Sequence, residues 1–259
     1  MIRWPAVRLL TPRGPARCES SSRGPAGRVA IPLLVLLLPA AARAQDVRMP
    51  APNTLTPAEV KADWRLLFDG STTKGWRAYS GDSMPSGWKV VDGTLTRVAK
   101  AGDIITADTY RNFELSVDWK IAPGGNSGIF YRAAPGSDAI YYSAPEMQVL
   151  DDAAHADGKD PLTSAGADYG LYPAPRGVVK PAGEWNSARI VVRGNHVEHW
   201  LNGKKLLEYE LGSPDWTERV NQSKFKEWPE YGKAAEGYIG LQDHGDVVAF
   251  RNIKIRVLP

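Results

Sequence analysis

At 259 residues, with 32 basic and 29 acidic side chains and a formal net charge of +3, the chain is long enough for one large domain and too evenly charged to point to a nucleic-acid partner. Even that small surplus is local. Residues 1–44 hold seven of the arginines and one acidic residue, Glu19, so 25 basic and 28 acidic side chains remain beyond them, a balance of −3. The single cysteine, Cys18, lies in the same stretch, which excludes disulfides and thiolate ligands from residues 45–259.

Arg3, Arg8, Arg13, Arg17, Arg23 and Arg28 precede an apolar run from Val29 to Ala42 that ends in Ala42-Arg43-Ala44. A charged leader, an apolar stretch too short to span a bilayer and a small-x-small end read as an export signal over residues 1–44, cleaved before Gln45. No lipobox cysteine and no second apolar span follow. The mature chain is therefore expected to be periplasmic or secreted, without a membrane partner once the signal is cleaved. Residues 45–60 are Pro-rich and weakly patterned, which predicts a flexible tether, with Pro57 to Lys61 able to start a short helix. Residues 61–259 then form one domain.

From Trp64 onward the pattern is β. Arg65 to Phe68 runs into the turn Asp69-Gly70, where Asp69 reads as turn chemistry. Trp88 to Val91 and Thr94 to Thr96 flank Asp92-Gly93, a hairpin signature. Phe113 to Ile121 alternates apolar and polar residues, as a half-buried antiparallel strand does. The glycine-rich turn Gly124 to Gly128 leads into Ile129 to Arg132. Gly194-Asn195 and Asn202-Gly203 separate three further strands of a meander. Many short strands and no long 3.6-residue period predict an all-β fold: a concanavalin-like or jelly-roll β-sandwich of two antiparallel sheets, with long loops over its concave face.

Between Ala133 and Gly183 the pattern lapses for longer than an ordinary connection, the mark of a functional or disordered segment. Its one strand-like piece, Glu146 to Asp151, puts Met147 and Val149 on one face and Glu146 and Gln148 on the other. A second long loop, Gly212 to Gly237, carries Trp216 and Trp228 and is expected to close one rim. Near the end, the alternating stretch Ile239 to Ile255 breaks at Gln242-Asp243-His244-Gly245. A strand that stops to place an amide, a carboxylate and an imidazole beside a glycine gives up ladder regularity there, as sites do. Eight of the nine tryptophans and all ten tyrosines lie beyond residue 44, enough for a core and for stacking on sugar rings.

Six separated motifs carry a resemblance. LFDG (Leu67–Gly70), GNSGIFYR (Gly125–Arg132), PEMQVLD (Pro145–Asp151), GEWN (Gly183–Asn186), HWLNG (His199–Gly203) and LQDHG (Leu241–Gly245) followed by FRNI occur in this order. Together they resemble the 3-keto-disaccharide hydrolase domain family, from about Trp64 to the end of the chain. The resemblance implies a concanavalin-like jelly roll acting on glycosides whose sugar carries a ketone at C3. The small-molecule partner is then a 3-keto-glycoside or 3-keto-disaccharide, cleaved by C2-proton abstraction and elimination or by net hydrolysis. A non-catalytic carbohydrate-binding module of the same fold is the alternative; an adhesion or scaffold domain would lack a pocket of titratable groups.

A carbonyl beside C2 makes its hydrogen acidic, so such a site needs a base, stabilisation for an enolate oxygen and an acid for the leaving group. An ordinary glycosidase would instead need two carboxylates flanking the bond. His244 is the first candidate for base or acid, since imidazole titrates near neutrality and Gly245 permits a bent, exposed backbone; a hydrogen bond tying the strand break is its bland alternative. Glu146 is the acid/base partner, a hydroxyl acceptor, or merely an exposed strand carboxylate. Gln148 and Gln242 are candidate neutral donors and Arg132 a cationic clamp, unless Arg132 pairs with Asp151 or Asp152. Asn126, Tyr142, Asp151 and Asp243 complete the expected substrate-binding set. Asn126 is equally a turn former, Tyr131 equally a core residue, and Tyr141 a further stacking candidate. His196 and His199, three apart on a strand, point to opposite faces and make a poor metal pair; His155 is a candidate rim contact. Glu146, Asp151, Asp152 and His244 are ligand types that suit a divalent ion, but no ligand spacing is diagnostic. No cofactor is expected to be required.

Overall fold

The computed structural model describes residues 50–259; the export signal expected over residues 1–44 lies outside the described residues. Two antiparallel sheets make a jelly-roll sandwich, in agreement with the β pattern of the sequence. The larger sheet runs β11 (Lys204–Glu210), β10 (His196–Leu201), β9 (Asn186–Arg193), β6 (Phe113–Ile121), β13 (Val248–Val257), β4 (Thr94–Arg97), β3 (Trp88–Val91), with β1 (Trp64–Leu66) also on β13. The smaller runs β2 (Trp76–Ala78), β5 (Ile104–Tyr110), β12 (Gly237–Leu241), β7 (Asn126–Ala133), β8 (Glu146–Leu150). Two short helices, α1 (Pro57–Lys61) and α2 (Pro214–Gln222), lie outside the sheets.

The hairpins follow their turn residues. Asp92 and Gly93 take φ of 49° and 73°, and Asn202 and Gly203 take 51° and 80°; two consecutive left-handed residues are what a tight hairpin turn matched to strand twist requires. Along β6, Phe113, Leu115, Val117, Trp119 and Ile121 are buried, and Met147, Val149, Ile129 and Tyr131 meet them from the smaller sheet in one core. Because side chains alternate along a strand, Glu146 and Gln148 must then stand on the opposite face of β8. The free edge of β8 is covered as well: residues 166–169 run beside it, with Gly166 and Tyr169 donating to the Gln148 and Glu146 carbonyls at 2.8 and 3.0 Å, and every residue of β8 is buried.

Two expectations need correction. The tether expected over 45–60 is docked well before its end: the buried Asn53 donates its N–H to Asn252 Oδ1 at 2.6 Å and accepts from Asn252 N–H at 2.8 Å. Thr56 then caps α1 by a reciprocal capping box with Glu59. The loop expected from Gly212 to Gly237 contains α2, started by Ser213 Oγ accepting from Trp216 N–H at 3.1 Å with Pro214 in the first turn.

Candidate active site

The ends of β7, β8 and β12 converge on a cavity of about 330 Å³ on the outer face of the smaller sheet. Both expected catalytic residues, Glu146 and His244, line it together with the expected binding residues Asn126, Gln148 and Gln242. The remainder of the wall is Tyr141, Tyr169, Lys224, Phe225 and Trp228. A larger hollow of about 470 Å³ beneath α2 shares Phe225 and Trp228 but presents no carboxyl or imidazole group, so the groups capable of acid–base chemistry gather in the smaller one.

Glu146 is 6% exposed. Burial, foremost, pushes its carboxyl up to about 8; the Lys224 ammonium opposes the rise, and the carboxylates of Asp103, Asp168 and Asp157 add to it. Near neutral pH it is mostly a neutral acid. The side chain lies against Gly128 of the neighbouring strand, its Oε1 only 1.9 Å from where a Cβ on that glycine would stand. Asp168, bridged to Met147 of β8, is fully buried, and burial, foremost, raises its carboxyl well above the ordinary range.

Three amide oxygens of the wall, Asn126 Oδ1, Gln148 Oε1 and Gln242 Oε1, are buried without a donor. Gln148 is oriented by its Nε2 donating to the Thr163 carbonyl at 3.2 Å. Buried acceptors left unmet cost free energy unless a ligand or water supplies the donors. A ligand rich in hydroxyl groups would do so.

The break after β12 works by alternation. Asp243 points away from the cavity and pins the loop: it accepts from Arg97 Nε at 2.6 Å and from the N–H groups of Ala101, Gly102 and Gly245 at 2.6, 2.8 and 3.0 Å. Burial works against its charge, but these donors outweigh it and hold the carboxyl below its usual range. Its neighbours Gln242 and His244 therefore face the cavity, and Gly245, at φ 108°, completes a turn no other residue adopts easily.

The other expected residues fall elsewhere. Asp243 anchors the loop and does not line the cavity. The register between β7 and β12 slips, with Tyr238 opposite Ala133 but Gly240 opposite Phe130, and Arg132 takes φ 53° at that bulge. Its guanidinium accordingly leaves the cavity and donates to the Arg111 and Gly194 carbonyls at 2.8 and 2.6 Å. Asp151 accepts from Gly124 N–H at 2.8 Å, and Asp152 from Ala165 N–H at 2.8 Å; both border a different hollow, so they form no ligand set with Glu146 and His244. Tyr142 backs the wall by stacking on Trp228 at 4.5 Å, while Tyr141 lines the cavity itself. Tyr131 is core, its hydroxyl 2.9 Å from His199 Nε2. His155 caps the turn at Asp157. Among the described residues, the one cluster of three or more potential metal ligands is His196, Glu198 and Glu208 on the β10–β11 hairpin, where Lys205 Nζ sits 2.6 Å from Glu208.

Lys224, Tyr169 and Phe225 escaped the sequence reading. Tyr169 lies in an irregular segment, and Lys224 and Phe225 in a four-residue 3-10 helix too short for a periodicity to assign a side chain to a face. Lys224 stands out: its ammonium lies 4.6, 5.3 and 5.7 Å from the ring centres of Tyr169, Phe225 and Tyr141.

Comparison with known proteins agrees with this architecture. A protein of Bacteroides thetaiotaomicron named 3-keto-disaccharide hydrolase is 42% identical over 224 residues, covering 74% of this chain and 77% of its own length. A crystal structure of a candidate glycosyl hydrolase from Parabacteroides distasonis superimposes with a TM-score of 0.75 at 36% identity, over 81% of this chain and 100% of the other. A second from the same organism gives 0.60 at 36% identity, over 75% and 99%. The model of the 3-keto-alpha-glucoside-1,2-lyase-like domain matches residues 63–256. The chain therefore belongs to the 3-keto-alpha-glucoside-1,2-lyase-like domain family, and with that membership it is a glycoside-cleaving enzyme.

Proposed function

We propose that the protein is an exported enzyme, periplasmic or secreted, that cleaves 3-keto-glycosides such as 3-keto-disaccharides by elimination followed by hydration. The observation that carries this reading is the joint placement of an imidazole, a carboxyl raised to about 8 and three unmet amide oxygens around one aromatic-walled cavity. The amide oxygens accept from sugar hydroxyls and hold the ring; Tyr141 and Trp228 cover its faces.

His244 takes the proton from C2, whose acidity comes from the adjacent ketone. The electron pair passes through the enolate and forms the C1=C2 double bond as the C1–O bond breaks. Glu146, protonated at neutral pH, gives its proton to the departing oxygen. Water then adds across the double bond: Glu146 recovers a proton from the water, and His244 returns its proton to C2. Both groups end as they began, and the net reaction is hydrolysis. This cycle requires no metal or cofactor.

Deuterium at C2 of the substrate tests it. The reading expects a primary isotope effect on turnover or loss of the label to solvent; retention of the label with no isotope effect would point to direct displacement at C1.

A further inference from the structure

We infer that Lys224 is the group that makes the site selective for a ketone, by taking up the negative charge that develops on the C3 oxygen as the C2 proton leaves; this rests on the elimination reading above. Lys224 is the one Lys or Arg side chain in the cavity wall. Two lysines of the larger sheet are satisfied by carboxylates: Lys205 by Glu208 at 2.6 Å, Lys254 by Glu59. Lys224 is not. Among the described residues no ion pair and no hydrogen bond reaches its ammonium, which instead lies over the faces of Tyr169 and Tyr141 and near the ring of Phe225.

Ring faces attract a cation but do not use up its three N–H donors. The ammonium is thus held over the rings on the exposed side of the cavity, with N–H donors that no protein group claims and that a ligand oxygen can take over from water, as an oxyanion donor must offer. The turn that carries it is fixed as well, because Ser223 Oγ accepts from Phe225 N–H at 3.1 Å. Its field also reaches Glu146, whose carboxyl it draws downward, so the cation and the leaving-group acid serve one reacting ring.

A ground-state ketone is a weak acceptor and an enolate a strong one, so an ammonium here binds the transition state better than the substrate. The C2–H bond breaks, its proton goes to His244, and its electron pair forms C2=C3 with the charge on oxygen beside Lys224. Reforming C3=O then drives C1=C2 formation and expulsion of the C1 oxygen. An unoxidised sugar bears a hydroxyl at C3, never develops this charge, and gains nothing from the lysine.

Lys224→Met and Lys224→Gln should lower kcat on a 3-keto-disaccharide by about 100- to 1,000-fold with KM changed by less than about threefold, and Lys224→Arg should recover most of the loss. Exchange of C2 deuterium should slow in parallel. Active wild-type protein with charge-neutral variants turning over within about threefold of it would overturn the role of Lys224 while leaving the elimination reading intact. A wild-type protein inert toward the 3-keto substrate would instead sink that reading and this inference with it. Borohydride added during turnover should leave the Lys224 peptide unchanged in mass; a reduced sugar adduct on it would replace the electrostatic role by a covalent imine.

Discussion

The carboxyl of Glu146 rests on the bare Cα of Gly128: a methyl group on that glycine would stand 1.9 Å from Oε1 and 2.6 Å from Cδ of the glutamate. β7 cannot retreat easily, since it lies between β8 and β12, and β8 is flanked on its other side by residues 166–169. Gly128→Ala should therefore displace the carboxyl rather than the sheet. Turnover should fall by about 100-fold, the effect of roughly an ångström of misplacement, for a stability cost of about 1–3 kcal/mol. Steady-state kinetics and a thermal melt on one sample check both; wild-type turnover would mean that the position of Glu146 is irrelevant to the chemistry.

The raised carboxyl of Glu146 sets two pH dependences. As the acid, it must be protonated, so kcat/KM should fall as pH rises through about 8. Folding favours its neutral form, because the folded value lies above the ordinary 4.5; that stability is fully present below about 4.5 and is lost as pH rises through about 8. Glu146→Gln should thus abolish most turnover yet raise the melting temperature at about pH 9 and leave it nearly unchanged near pH 4.5. A uniform shift at both pH values would place the carboxyl outside a desolvated site.

Asp243 and His244 are adjacent and should behave oppositely. His244 is exposed, and its removal to alanine should cost about 100- to 10,000-fold in turnover with the melting temperature almost unchanged. Asp243 and Arg97 form a buried pair with side chains 3% and 9% exposed, so Asp243→Ala should destabilise the fold by about 3–5 kcal/mol. Turnover should also drop in the part that remains folded, because the turn aiming Gln242 and His244 loses its anchor. An active His244→Ala variant would remove the imidazole from the mechanism.

Much of the site was legible because strands reveal faces. The core residues Met147 and Val149 dictate where Glu146 and Gln148 point, and the hairpin turns at Asp92-Gly93 and Asn202-Gly203 betray themselves in the residue types. The same alternation, applied to Gln242-Asp243-His244, turns Asp243 away from its neighbours; reading all three as site residues overlooked it. Arg132 was misplaced because a single-residue bulge reverses a side chain without leaving a mark in composition. The helix α2 had its signature in Ser213-Pro214-Asp215, but it is short and mostly polar. Lys224 and Tyr169 offered nothing to read, since their positions depend on how a single 3-10 turn and an irregular segment fold over the sheet.

The most direct measurement is incubation of the purified protein with one disaccharide in its 3-keto and unoxidised forms, following sugar release. Cleavage of the 3-keto form alone, dependent on both His244 and Glu146, is the expected result. Equal cleavage of the two forms, or binding of sugar without cleavage of either, would contradict it.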